Sequence, residues 1–156
     1  MILELSQLMR YILYESENGT TTLAAESKFI SSYVALMKRR YLADVVNVKL
    51  ELPEHSSVHT HIPPLLFISF IENAFKHGVS YLIDTEIDIK LKDMDGKVLF
   101  CCDNTIPVER KNSDAAGGLG LVNIRRRLDL LYGDEYSLKI IEDQNRYSVT
   151  LIIPSV

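Results

Sequence analysis

The sequence predicts an α+β two-layer sandwich. A mixed sheet of roughly five strands lies under helices, with two further helices ahead of it. Three observations carry this. Residues 2 to about 15 and 23 to 43 repeat apolar side chains at helical spacing. Two later stretches alternate apolar and polar residues across polar turns, as hairpins do. Between and after them lie two further helical patterns, each with one solid apolar face.

Taken in order, Leu5, Leu8, Met9, Ile12 and Leu13 define the first helix, which Asn18-Gly19 stops. Thr22 is the expected cap of the second, whose apolar set is Phe29, Ile30, Tyr33, Val34, Met37 and Tyr41. Paired helices of this kind lie against something, such as another copy of the chain. A strand is expected from Val46 to Leu52, ended by Pro53. The loop 53–62 then leads to a helix with Pro63 and Pro64 at its start. Ile87, Ile89 and Leu91 alternate with Asp88, Lys90 and Lys92, and Asp95-Gly96 turns the chain into a strand from Lys97 to Cys102. A glycine-opened helix follows, with apolar positions Leu121, Ile124, Leu128 and Leu131 and a stop at Gly133. Tyr136, Leu138 and Ile140, then Tyr147, Val149, Leu151 and Ile153, form the last hairpin. The segment 105–116 is polar and short-sided, and is the expected lid.

With 156 residues, 47% of them apolar, the chain can bury the core of one domain plus a helical appendage. Its net charge of −4 offers no basic footprint for nucleic acid. No apolar run approaches the roughly 20 residues needed to span a bilayer, and no secretory signal is visible, so no direct membrane contact is expected of it. Cys101 and Cys102 are adjacent on a strand, point to opposite faces and make a poor disulfide pair, which suits a cytoplasmic domain. His55, His59 and His61 share a loop without a cysteine or carboxylate cluster, and read as solvated rather than metal-bound.

Chemistry concentrates in two motifs. In the run Phe70-Ile71-Glu72-Asn73-Ala74-Phe75-Lys76-His77-Gly78, about 100° per residue puts Glu72, Asn73, Lys76, His77 and Ser69 on one arc. Phe67, Ile68, Phe70, Ile71, Ala74 and Phe75 fill the other side. A carboxylate and an amide oxygen suit Mg²⁺, and a lysine suits phosphate. Many surface helices carry charges outside, so this helix alone does not define a site. The second motif is Gly117-Gly118-Leu119-Gly120-Leu121-Val122-Asn123-Ile124-Arg125-Arg126-Arg127-Leu128. A helix N-terminus offers free N–H groups and a positive dipole end to an anion, and glycine lets backbone approach it closely. Neither the dinucleotide fingerprint nor the P-loop is present.

In this order the two motifs resemble the nucleotide-binding boxes of the Bergerat-fold (GHKL) ATPase superfamily of gyrase, histidine kinases and mismatch-repair proteins. They resemble most the LytS-like sensor histidine kinases, of the autolysin-regulator type. The resemblance rests on Ile62-Pro63-Pro64-Leu65-Leu66, Glu72 to Gly78 and Gly118 to Tyr132. It extends to Leu8-Met9-Arg10-Tyr11, Tyr33-Val34-Ala35-Leu36 and Arg39-Arg40-Tyr41. It implies an ATP-binding catalytic domain over 45–156. Residues 1–44 would end a dimerisation and phosphoacceptor region whose acceptor histidine is absent.

The resemblance further implies Mg²⁺ and ATP as cofactors. Asn73 would be the amide ligand of Mg²⁺, Glu72 and Lys76 the catalytic pair, and His77 a border to ribose or phosphate. The N–H groups around Gly118, Leu119 and Gly120 would hold phosphate oxygens, with Asn123 and Arg125 supporting the lid. The adenine box departs from its pattern: both glycines are missing from Asp103-Asn104-Thr105-Ile106-Pro107. Asp103 is the first choice as adenine partner. Asn104, aimed like Phe100 and Cys102, is the other, since either offers an acceptor oxygen.

The expected function is transfer of the ATP γ-phosphoryl group to a histidine outside this chain, and thence to a response regulator of the LytTR type. The chain alone would not autophosphorylate. A homodimer through upstream helices and a cytoplasmic position in an inner-membrane sensor complete the expectation. One rival is a degraded nucleotide-binding or scaffold module acting through dimerisation. The other is a serine kinase of the anti-sigma-factor kind, against which the Arg125-Arg126-Arg127-Leu128 ending counts.

Overall fold

Thr22 sets the first clear boundary. The computed structural model describes residues 2–15, 17–41, 45–53, 59–80, 83–107 and 119–155. In it, the Thr22 hydroxyl accepts the Ala25 N–H at 3.1 Å and opens helix α2 (Leu23–Arg40). Thr22→Ala should cost about 1 kcal/mol, the usual worth of such a cap. Urea unfolding with an unchanged midpoint would deny the cap this role. Glu26 in the first turn and Lys38, Arg39 and Arg40 in the last suit the helix dipole. The helix ends three residues before the expected 43. Tyr41 leaves it in an extended conformation and stacks its ring on Phe75 at 6.0 Å.

Helix α1 (Ile2–Glu15) packs on α2 through buried Leu8 and through Tyr11, whose ring stacks on Phe29 at 4.6 Å. Ile2, Leu3, Met9, Leu13 and Tyr14 of α1 face outward and are each more than half exposed.

The sheet has the order β2-β4-β5-β7-β6. β2 (Val46–Glu51) runs parallel to β4 (Thr85–Asp93), because helix α3 (Ile68–Gly78) carries the chain over the sheet between them. β4 pairs antiparallel with β5 (Lys97–Thr105), β5 with β7 (Arg146–Pro154), and β7 with β6 (Ser137–Glu142). The β4–β5 hairpin turns at Asp95 and Gly96, with φ of +46° and +89°; two left-handed residues match the strand twist. An additional two-stranded pair joins β1 (Thr21–Thr22) to β3 (His61–Ile62).

One sheet face is buried, led by Ile87, Leu91, Phe100, Leu151 and Ile153, and helices α2, α3 and α4 (Leu119–Tyr132) contribute to the same core. The two-layer sandwich with two leading helices is therefore the fold observed.

Local expectations needed correction at three further points. α3 starts at Ile68, not at the prolines. Pro63 to Phe67 form a turn, in which Leu65 has φ +61° and the carbonyls of Pro64 and Leu65 bond Arg127 instead of helical N–H groups. β5 continues to Thr105, past Cys102, because both neighbouring strands pair with it that far or nearly so. Leu131 is exposed on α4, and Tyr132 is half buried in its stead.

Candidate functional site

Helix α3 divides as its spacing requires. Phe70, Ile71, Ala74 and Phe75 are buried, while Glu72, Lys76 and His77 are exposed and Asn73 is intermediate. Lys76 and His77 occupy the last turn, where a positive side chain suits the dipole. The helix stops at a buried tie to β4. The Thr85 hydroxyl donates to the Gly78 carbonyl at 3.2 Å and accepts the Ser80 N–H at 3.1 Å. Thr85 is fully buried, and sequence patterning did not single it out.

Gly78 lies against the end of β5. A Cβ at position 78 would sit 2.9 Å from Asn104 Nδ2 and 3.1 Å from its Cβ. The glycine therefore makes room for the Asn104 side chain beneath the last turn of α3. Asn104 is buried, and its Nδ2 donates to the Thr105 carbonyl at 3.0 Å. Of the two acceptors at the end of β5, this places Asn104, not Asp103, on the helix-covered face. Asn104 pairs across with Ile87 and Tyr147, whereas Asp103 pairs with Asp88 and Ser148 on the other face. On that outer face Arg146 bridges to Asp88 at 3.0 Å.

Glu72 has a neighbour on α2. Burial, then the Glu72 charge, raises the Tyr33 hydroxyl to about 12, so Tyr33 is neutral beside that carboxylate at neutral pH. On α4, Gly120 and Asn123 are exposed, and a Cβ at Gly120 would meet no atom within 4 Å. Among the described residues no internal contact demands glycine there. The first N–H groups of the helix lack intrahelical acceptors and are available to an anion. The charge of Arg125 acts on Tyr136 and Tyr147, toward the β6–β7 side.

Arg127 joins the two motifs. Its Nη2 donates to the Pro64 carbonyl at 2.7 Å and its Nη1 to the Leu65 carbonyl at 3.2 Å, in the turn that launches α3. Gly117, Gly118, the side chain of Leu119 and most of the expected lid lie outside the described residues, as does His55. Both cysteines are free; burial pushes the Cys102 thiol up, and its Sγ lies 3.9 Å from the Phe70 carbonyl. Among the described residues there is no group of three metal-ligating side chains and no helix long and apolar enough to cross a membrane.

The residue set fits a magnesium nucleotide in its donor chemistry. A carboxylate and an amide oxygen adjoin on α3, an amide acceptor lies beneath its end, and a glycine opens α4 where nothing among the described residues requires it.

Solved structures share this fold. The histidine kinase domain of the blue-light activated kinase EL346 from Erythrobacter litoralis matches with a TM-score of 0.64 at 17% identity, over 97% of this chain and 74% of that one. A structure of histidine kinase ThkA in complex with the response regulator TrrA matches at 0.59 and 18% identity, over 99% of this chain and 48% of that one. The chain thus has the fold of a histidine kinase catalytic domain.

Sequence relatives narrow the class. The family model described as histidine kinase matches residues 1–45. Sensor protein LytS of Staphylococcus saprophyticus is 32% identical over 99% of this chain, and sensor histidine kinase BtsS of Escherichia coli is 25% identical over 96%. This chain is a relative of the LytS-like sensor histidine kinases. It spans 28% of the length of these curated relatives.

Proposed function

We propose that residues 45–156 are the ATP-binding catalytic domain of a two-component sensor histidine kinase, and that residues 1–44 end its dimerisation region. One observation supports this above the others. Asn104, lodged against Gly78, brings an amide acceptor under the helix that carries Glu72, Asn73, Lys76 and His77, while Arg127 ties α4 to the turn before that helix. Both motif helices then border one region.

When bound, Mg-ATP would supply the phosphoryl group, whose transfer depends on placement and charge neutralisation. Asn73 would offer its amide oxygen to Mg²⁺, and Glu72 would polarise the incoming nucleophile. Lys76 would face phosphate and His77 would border the nucleotide. Backbone N–H groups at Gly118, Leu119 and Gly120 would hold phosphate oxygens, with Asn123 nearby. Asn104 replaces Asp103 as the adenine partner in this reading, because it lies on the covered face.

The acceptor histidine would lie outside this chain, and a response regulator, as in the ThkA–TrrA complex, would receive the group. A LytTR-type regulator and a cytoplasmic position in a membrane sensor belong to the same proposal. The outward apolar face of α1 suits a second copy of the chain.

Titration with a fluorescent ATP analogue, with and without Mg²⁺, tests the reading. Mg-dependent binding is expected. Asn104→Ala should weaken it about tenfold, the worth of one buried hydrogen bond, and Asp103→Ala by much less. The reverse order would return the adenine role to Asp103. The absence of the box glycines, with Thr105 and Pro107 in their places, favours a second reading as a degraded scaffold. A folded chain that binds no nucleotide at millimolar ATP would establish that reading instead.

A further inference from the structure

Helix α3 carries the outward arc of Glu72, Asn73, Lys76 and His77, yet it begins without a side-chain cap. Phe67 stands at its N-cap and makes no capping hydrogen bond. Helix α2, by contrast, is opened by the Thr22 hydroxyl. The start of α3 is set by the turn before it. Pro63 and Pro64 are buried there, and neither has an N–H to give. Leu65 follows at φ +61°, a left-handed conformation that a leucine keeps only when its surroundings impose it. Leu66 and Phe67 are buried next, and α3 begins at Ile68.

The carbonyls just before and just after the Leu65 Cα both accept from Arg127 of α4. Nη2 reaches the Pro64 oxygen at 2.7 Å and Nη1 the Leu65 oxygen at 3.2 Å. A planar guanidinium with two fixed donors suits two neighbouring carbonyls, and the Leu65 conformation sets how those carbonyls point. One side chain therefore holds the left-handed turn and joins segments 62 residues apart. Arg127 is exposed, but Leu128 beside it is fully buried and fixes that part of α4 on the core.

The tie lies close to the proposed chemistry on both helices. Gly120 precedes Arg127 by seven residues and Asn73 follows Ile68 by five, each within about two turns. The far end of α3 has a separate anchor, where Thr85 bonds the Gly78 carbonyl and the Ser80 N–H and Asn104 lodges against Gly78.

We infer that Arg127 is a positioning residue: by holding the Pro64–Leu65 turn it sets the separation between Asn73 on α3 and the glycine-opened start of α4, and so governs the Mg²⁺-dependent part of nucleotide binding. Arg127 itself touches neither metal nor nucleotide in this assignment. The inference rests on the proposed nucleotide site. The base end, at Asn104, keeps its own anchor and does not depend on Arg127.

The test measures affinity for a fluorescent ATP analogue with Mg²⁺, and again with a chelator in its place. It compares the unaltered chain with Arg127→Ala, Arg127→Lys and Arg126→Ala, each beside a thermal melt. With Mg²⁺, Arg127→Ala should lose about tenfold, the scale of one charge-assisted hydrogen bond, and without it less than about twofold. Arg127→Lys should lose as much, because an ammonium cannot span two carbonyls as the guanidinium fork does. Arg126→Ala removes the same charge from the exposed side of the same helix and should bind like the unaltered chain. Full affinity in folded Arg127→Ala would overturn the inference. So would equal losses with and without Mg²⁺, which general loosening of the domain produces. Restoration by lysine, or an equal loss in Arg126→Ala, would mean that charge acts on phosphate directly and would overturn it too.

Amide hydrogen exchange without nucleotide gives an independent reading. The Phe70 and Ile71 N–H groups both bond the Phe67 carbonyl, at 3.1 and 3.3 Å, and close the first turn of α3. In Arg127→Ala they should exchange faster while β5 stays protected. Equal acceleration in β5, or none at Phe70 and Ile71, would remove the positioning role. If Arg127→Ala does not fold, Arg127→Lys, which keeps the apolar stem, replaces it in both experiments. Should the unaltered chain bind no nucleotide, the functional reading falls, and the exchange pattern still decides whether Arg127 sets the start of α3.

Discussion

Asn73→Ala should abolish Mg-dependent nucleotide binding and leave the fold intact. Asn73 lies on the outward arc of α3, where removing its amide opens no core cavity. Alanine is the better helix former, so the helix itself gains slightly. The neighbours that fix α3 on the sheet, Ile71, Ala74 and Phe75, are untouched. In the proposed site the loss falls on the one neutral oxygen that the motif would offer to Mg²⁺, and a reduction of at least about 100-fold is expected, at the upper end of what losing a metal-site partner costs. Titration with and without Mg²⁺, beside a circular-dichroism melt, separates the two effects. Affinity equal to that of the unaltered chain would remove Asn73 from the metal site. A collapsed melt would mean that the amide serves the fold.

Phe100→Ala is expected to be the most damaging core change. Phe100 is fully buried in the middle of β5. Its ring stacks on Phe67 at 4.7 Å and meets Phe70 at 5.8 Å. Truncation removes the transfer free energy of the ring and leaves a cavity, together about 3–5 kcal/mol. Against a typical stability of about 5–15 kcal/mol, that is a large share. The thermal midpoint should fall by roughly 10 °C or more for a domain of this size. Phe67 caps α3 and Phe70 lies in its first turn, so the same ring sets the height of the helix above the sheet. Nucleotide affinity should fall with stability. A loss below about 1 kcal/mol in urea unfolding would show that Phe67 and Phe70 close over the gap without cost.

The candidate site's local geometry was legible where its signals are local. The arc of Glu72, Asn73, Lys76 and His77 follows from helical period alone, and the burial of α3 agrees with it. The Asp95-Gly96 turn, the Thr22 cap and the Gly133 stop rest on residues whose own backbone preferences decide the conformation. Gly133 has φ +59°, and its N–H returns to Asp129 at 2.9 Å. Asp103 and Asn104 could not be separated in this way. Alternation says that adjacent residues face opposite sides, and only the register of β5 with β4 and β7, with Gly78 above, says which side is covered. Glu26 gave no warning either. A glutamate in the first turn of a helix reads as a dipole-favoured surface residue, but here it is fully buried and accepts from the Tyr11 hydroxyl of α1.

From the amino-acid order alone came the element types, most of their boundaries, the apolar faces and the two motifs that resemble those of LytS-like kinases. These depend on periods of two and 3.6 residues and on backbone preferences a few residues long. Three-dimensional packing decided the parallel pairing of β2 with β4, the small β1–β3 pair, the inward turn of Asn104 and the Arg127 tie between the two motifs. Each joins residues far apart in the chain. Their free energy depends on which surfaces meet, and no local pattern encodes that.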